Sequence, residues 1–304
     1  MLDDMNNRSK GKFLGRMVGI FTLLAASMSV QAQYPYDTVD YPDADTTLAY
    51  GISDGNIVGY YGYEGYTVGY IYNGNNYNQI WVPGEYGTAA LGIDGANIVG
   101  TYTSASGANG FLYNGNNYTT IDVPGASATF AYGISGDNIV GYYEYNGGNY
   151  NGFLYNGVGY TPVAVPGALQ TRAYGISGSD IVGFYQNYNS SVLYGFLYNG
   201  TSYTTLAIPG AADTFATGVS GGNVVGYYYE NGNYYGFLYN GSSYTTLTVD
   251  DAGTIAWGIS GDDVVGDYDN GPSQGFAMVV PEPNPLALLG CALAALKFVY
   301  RRRV

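Results

Sequence analysis

One unit recurs almost from end to end of the chain, and it leaves little freedom in what the chain can fold into. A Gly-Ile or Gly-Val pair returns at Gly51, Gly92, Gly133, Gly175, Gly218 and Gly258, in steps of 41, 41, 42, 43 and 40 residues. Eight residues after each anchor stands the glycine of a Val-Gly pair, at Gly59, Gly100, Gly141, Gly183, Gly226 and Gly266. An aromatic segment follows, Gly-Phe-Leu-Tyr-Asn-Gly in its commonest form, at 69–74, 110–115, 152–157, 195–200 and 236–241, and Val-Pro-Gly or a relative closes most units. A period of about 40–45 residues carrying four short strands is the signature of a propeller blade. The 48 glycines sit at fixed repeat positions between runs rich in Ile, Val, Tyr and Phe, which favours an all-β fold over low-complexity disorder.

The repeats are offset against the chain ends. Tyr36–Ala44 aligns without a gap with Tyr118–Ala126, so the chain begins with the last strand of a repeat, while the sixth repeat stops after Gly275-Phe276-Ala277 without one. With the strands of a repeat called a to d, a ring closed by its own N-terminal d strand requires this offset, and closure removes free edges. The expected fold is an all-β, six-bladed β-propeller over residues 33–279, with strand a at the axis and d outermost.

Alternation along strand a puts Ala49, Ala90, Ala131, Ala173, Ala216 and Ala256 on one face with the anchor glycines, small enough for a crowded centre. Ile52, Ile93, Ile134, Ile176, Val219 and Ile259 face the neighbouring blade. The Asn-Gly pairs predict type I′ turns between c and d. Asp137 and its equivalents between a and b are read as turn residues rather than calcium ligands. The recurring tyrosines of strands b and d are read as filling the wedge between blades, against the alternative of a sugar-stacking stripe.

Length varies mainly between b and c, where the spans from the Val-Gly glycine to the aromatic-segment glycine are 10, 10, 11, 12, 10 and 9 residues. Variable loops on a rigid scaffold commonly carry function. The candidate ligand-binding residues are therefore Glu64, Tyr66, Glu144, Tyr145, Tyr188, Tyr194, Glu230, Tyr234, Asp267 and Asp269.

Charge narrows the partners. Of the nine cations, Arg8, Lys10, Lys12, Arg16, Lys297, Arg301, Arg302 and Arg303 lie at the ends. Between residues 33 and 283 Arg172 alone faces 21 acids, all but Asp3 and Asp4 of the chain's 23, a balance of −20. One cation cannot neutralise a nucleic acid or dock such a ring on an anionic membrane. Calcium is the one candidate cofactor. With no histidine and a single Cys291, metal–histidine chemistry, a histidine base and a disulfide framework are all excluded. An enzyme would have to use paired carboxylates such as Glu64, Glu144 and Glu230. The leading expectation is a non-enzymatic surface protein that binds polysaccharide or another surface protein. A purely structural envelope role and a secreted polysaccharide-active enzyme are the alternatives.

The ends carry addresses. Residues 1–32 have a basic segment, an apolar stretch Met17–Val30, and Val-Gln-Ala at 30–32, which predicts signal-peptidase cleavage between Ala32 and Gln33. From 280 the chain reads Val-Pro281-Glu282-Pro283, then an apolar segment Leu286–Tyr300, then Arg301-Arg302-Arg303. The basic end would hold a short transmembrane helix with the ring outside.

This tail resembles the PEP-CTERM sorting signal of bacteria over about 25 residues. The resemblance implies processing by an exosortase, a transpeptidase-like membrane enzyme, and an association with exopolysaccharide or biofilm matrix. The repeat frame is similar to bacterial extracellular repeats of the HAF type, with Asn-Gly-Phe at 151–153 and Tyr-Gly-Phe at 194–196 in place of the histidine-bearing triplet. That resemblance implies a repeat and a compartment, and no chemistry.

Overall fold

The computed structural model describes residues 30–32, 34–145, 148–269 and 271–281, and these form six four-stranded antiparallel sheets with no helix. The chain enters as β1 (Val30–Ala32) and β2 (Tyr36–Val39). Blade one follows as β3 (Thr46–Ser53), β4 (Asn56–Tyr63), β5 (Tyr66–Tyr72) and β6 (Tyr77–Ile80). Blade two is β7 (Gly87–Asp94) to β10 (Tyr118–Ile121), and blade three β11 (Ala128–Ser135) to β14 (Tyr160–Val163). Blade four is β15 (Ala168–Ser177) to β18 (Tyr203–Leu206), and blade five β19 (Asp213–Ser220) to β22 (Tyr244–Leu247). Blade six has only β23 (Gly253–Ser260), β24 (Asp263–Asp269) and β25 (Ser273–Val279) in sequence, and β2 completes it by pairing with β25. The six-bladed propeller closed by its N-terminal strand is therefore the fold of this chain. Residues 30–32 add a parallel edge strand to blade five, Val30 opposite Thr245. Residues 1–29 of the expected signal segment and Gln33 after its cleavage point lie outside the described residues, as does the tail from Glu282 through Pro283 to Arg301, Arg302 and Arg303 with its expected helix.

Glycine lets the six blades converge. A methyl group on Gly51 would meet the Cα of Gly92 at 3.1 Å, each later anchor meets the next in the same way, and Gly258 meets Gly51 at 3.2 Å, completing the circle. The cores lie between blades. Val99 of blade two packs with Ala131, Ile134 and Phe153 of blade three, and Val265 of blade six packs with Ala49, Tyr61 and Tyr70 of blade one. Apolar contacts thus cross the closing seam as they cross the other joints.

A residue type passed over in the sequence ties each blade to its approach. Thr47, Thr88, Thr129, Thr171, Thr214 and Thr254 are all buried, and each hydroxyl oxygen accepts the N–H of the residue at the turn into its own strand, such as Val123 N–H to Thr129 at 3.1 Å. A buried N–H left unpaired would be costly, which makes a polar residue inside this core intelligible.

Two local expectations change. Strand a carries a β-bulge between Ala and the anchor glycine in every blade, as between Ala49 and Gly51, so those two do not share a face by simple alternation. The alanines are buried in the interblade cores, and the glycines alone meet around the axis. The Asn-Gly connections are not type I′. Strand c ends at Tyr72 and d starts at Tyr77, Gly74 has φ +88° while Asn73 has no positive φ, and Asn73 Oδ1 accepts the N–H groups of Asn75 and Asn76. The primed two-residue turn lies instead between a and b, where Asp54 and Gly55 both have positive φ. These turns also serve the next blade: Asp94 Oδ2 accepts the N–H of Gly136 at 2.6 Å.

The strand tyrosines fill the wedge as expected. Tyr61, Tyr185, Tyr228 and Tyr268 are buried. The phenol oxygens of Tyr118 and Tyr203 accept backbone N–H groups of the preceding blade, from Trp81 and Ala164, each at 3.1 Å.

Candidate functional site

The bulge that separates Ala from Gly turns the residue between them toward the axis. Tyr50, Leu91, Tyr132, Tyr174, Thr217 and Trp257 occupy this position and line an axial channel of about 70 Å³. Their rings meet across blades: Tyr50 stacks on Trp257 at 4.5 Å between centroids, and Tyr132 lies tilted against Tyr174 at 4.3 Å. The channel is thereby narrowed to a floor. Burial pushes the phenols of Tyr50, Tyr132 and Tyr174 well above the usual tyrosine range, so they remain neutral donors and acceptors.

Above that floor, toward the b–c loops, stands a second tier from strand b: Tyr60, Thr101, Tyr142, Phe184, Tyr227 and Asp267. Tyr60 stacks on Tyr50 at 5.5 Å and Tyr142 on Tyr132 at 5.4 Å, which joins the tiers into the wall of a cup. Strand a contributes Phe130, Arg172 and Phe215 to the same wall. Phe215 stacks on Tyr227 at 4.5 Å, and the Arg172 guanidinium lies 3.7 Å from the Tyr150 ring centroid, with Tyr142 and Phe184 beyond at 5.2 and 5.3 Å. The buried Arg172 Nε has no hydrogen-bond partner among the described residues. The ring's one cation is thus held in an aromatic box.

Two clefts widen the cup. One, of about 450 Å³, lies over blade two between Tyr50 and Tyr60 on one side and Phe130 and Tyr132 on the other. The second, of about 490 Å³, joins Tyr234 of blade five to Asp267, Asp269 and Ser273 of blade six. Three of the expected site residues, Tyr234, Asp267 and Asp269, therefore meet in one cleft. Glu64, Glu144 and Glu230 stand on alternate blades, one, three and five, and none of them lines either cleft. Tyr66, Tyr145 and Tyr188 project from the rim at 58, 45 and 64% exposure, and Tyr194 sits in strand c of blade four, 5.7 Å from Tyr185.

Asp267 is a strand residue at 6% exposure rather than a loop ligand, and its Oδ1 accepts the indole N–H of Trp257. Burial raises its carboxyl from 3.8 to about 7; the Trp257 bond opposes the shift and Asp269 adds to it. Between about pH 4 and 7 the folded chain keeps a proton that the unfolded chain releases. Stability contributed by this group accordingly falls as pH rises through that window and levels off above it. Trp257 fluorescence should titrate with a midpoint near 7. Asp267→Asn should abolish that titration and flatten the pH dependence of stability between 4 and 7. A wild-type emission that is constant over the window would contradict the assignment.

Among the described residues no three His, Cys, Asp or Glu side chains converge to hold a metal ion, and no helix is long and apolar enough to cross a membrane.

The axial tiers were not read from the sequence, although a signal for them existed. Between the invariant Ala and Gly of strand a, and directly after the Val-Gly pair of strand b, the repeats carry large and variable residues.

No protein-family model matches the chain, and no curated protein matches it in sequence. Solved structures resemble it in fold. The SapL1 lectin in complex with alpha methyl fucoside superposes with a TM-score of 0.47 at 15% identity, over 79% of this chain and 98% of that one. The six-bladed lectin of Aleuria aurantia gives 0.46 at 16% identity, over 82% and 99%. The acylaminoacyl peptidase of Pyrococcus horikoshii gives 0.50 at 10% identity, over 83% of this chain and 55% of the peptidase. At such identities the likeness is one of fold, shared by sugar-binding proteins and a peptidase alike, and activity must be read from the site.

Proposed function

We propose that this is a non-enzymatic, exported cell-surface or extracellular-matrix protein that binds polysaccharide through the b–c face of its ring. The observation that carries the reading is the aromatic-walled cup, which opens at the end where the loops vary. Sugar rings present apolar C–H faces edged with hydroxyls, and they pair well with aromatic faces flanked by neutral hydroxyl groups. A concave opening favours a thin polymer over the flat surface of another protein. The balance of −20 disfavours phosphate-rich chains. Export with cleavage between Ala32 and Gln33, and sorting by an exosortase through the Pro281-Glu282-Pro283 tail, belong to the same proposal and rest on the sequence pattern.

The test is co-sedimentation of residues 33–281, which include every strand of the six four-stranded blades, with the producing organism's exopolysaccharide, in calcium and in a chelator. Retention in the chelator is expected, because the described residues offer no metal cage. No retention in either condition would overturn the reading. The cleft holding Asp267 and Asp269 favours the alternative of a polysaccharide-active enzyme, since a carboxyl raised to about 7 beside an exposed carboxylate suits acid–base work. Release of reducing ends by the wild type, lost in Asp267→Asn, would establish that alternative.

A further inference from the structure

We infer that the cleft over blade two is a pocket for one uncharged pyranose unit of the polysaccharide, and this rests on the reading above. The repeat itself makes the pocket. Where other blades put Phe130 and Phe215 on strand a, blade two has Ala89; where they put Tyr60, Tyr142 and Tyr227 on strand b, it has Thr101. At the bulge it carries Leu91 in place of the Tyr or Trp of four other blades. At every tier of the wall blade two is therefore smaller than most other blades, and the missing volume appears as the cleft of about 450 Å³, within the range of ~300–1,000 Å³ usual for small-ligand sites.

What remains around the gap is suited to a sugar ring. Tyr50 and Tyr60 of blade one and Phe130 and Tyr132 of blade three bound it from opposite sides. Between them lie the hydroxyls of Thr67, Thr101 and Thr103, and Thr101 Oγ1, which donates to the Asn109 carbonyl at 3.1 Å, keeps lone pairs to accept from a ligand. Tyr86 stands at the lip with 64% of its surface exposed, an aromatic ring that no core uses. Among the described residues no charged side chain lines the cleft, although the ring bears 21 acids. A carboxylate on the ligand would enter an acidic field without a counter-charge, so an unsubstituted hexose unit fits better than a uronate. The other large cleft, with two aspartates in its wall, differs in this respect.

The repeat also supplies the test. Thr101→Tyr and Ala89→Phe each install a residue that other blades carry at that position, so they fill the cleft with side chains the fold already accommodates. Binding of neutral gluco-, galacto- and mannotetraose and of an alginate tetrasaccharide is measured by calorimetry on residues 33–281. The emission of Trp257, which stacks on Tyr50 in the cleft wall at 4.5 Å, is followed in a Trp81→Phe background. The expected result is binding of at least one neutral tetraose, a change in Trp257 emission at saturation, and at least a tenfold loss of affinity in either filled variant with the melting temperature retained. Should both variants fail to fold, Tyr86→Ala at the exposed lip of this cleft decides in their place, by the same loss of affinity. Unchanged emission at saturation, wild-type affinity in the filled variants, or binding of alginate only would overturn the pocket and leave polysaccharide binding standing. A wild type that binds neither the tetraoses nor the organism's polysaccharide would overturn both.

Discussion

A chain that begins at Asp45, and so lacks β2, is expected to lose its single cooperative unfolding transition and to self-associate through blade six. Four cross-strand pairs, from Tyr36 opposite Met278 to Val39 opposite Gly275, would disappear and leave β25 as a raw edge. The loss reaches beyond that blade. Val39, at 2% exposure, packs in the cluster that joins Val265 of blade six to Ala49, Tyr61 and Tyr70 of blade one, and Tyr41 stacks on Tyr61 at 3.7 Å. The truncation thus opens a joint as well as an edge. Size-exclusion chromatography and urea denaturation would show it, and a synthetic peptide of residues 34–44 should restore the monomer. A truncated chain that stays monomeric with an unchanged urea midpoint would mean that the ring does not depend on its N-terminal closure.

The second large effect is expected from one methyl group. Gly141 of strand b lies opposite Ala131 and Phe153, and a Cβ there would overlap the Phe130 carbonyl oxygen and approach the Phe153 ring to 2.9 Å. Backbone on one side and a fully packed ring on the other leave nothing that can yield at low cost. Gly141→Ala should therefore cost about 3 kcal/mol, the upper end of ordinary overpacking, and lower the melting temperature by roughly 6–12 °C for a domain of this size. Gly159→Ala is the matched comparison. A Cβ at that position meets nothing within 4 Å, and the change should stay within about 0.5 kcal/mol. Equal melting temperatures for the two variants would show that the ring adjusts around Gly141.

The parts of this fold that were legible are those in which backbone geometry dictates residue type. Glycine recurs wherever blades meet at the axis, and the displaced strand Tyr36–Val39 announces the closure through its alignment with Tyr118–Ile121. Strict alternation misplaced the alanines because one extra residue per strand, such as Tyr50 between Ala49 and Gly51, shifts the pattern by a step. The same bulge concealed the cup, since its floor consists of those extra residues. Asp267 looked like a loop ligand beside Asp269. Aligned on the repeat it is the counterpart of Tyr60 and Tyr227, a wall position that burial and Trp257 then define. Neither cleft could be read from any single repeat, because each is bounded by side chains of more than one blade.

The closure also gives the molecule a front and a back. Tyr36 opens β2 directly opposite Met278 near the end of β25, so the chain enters and leaves the ring side by side on blade six, at the face of the a–b and c–d turns. The cup opens on the other face. Anything that holds the protein at the end of β25 therefore holds it from behind, with the aromatic mouth on the opposite face. A ring displayed in this way could be crowded shoulder to shoulder on a surface without any copy covering the mouth of its neighbour.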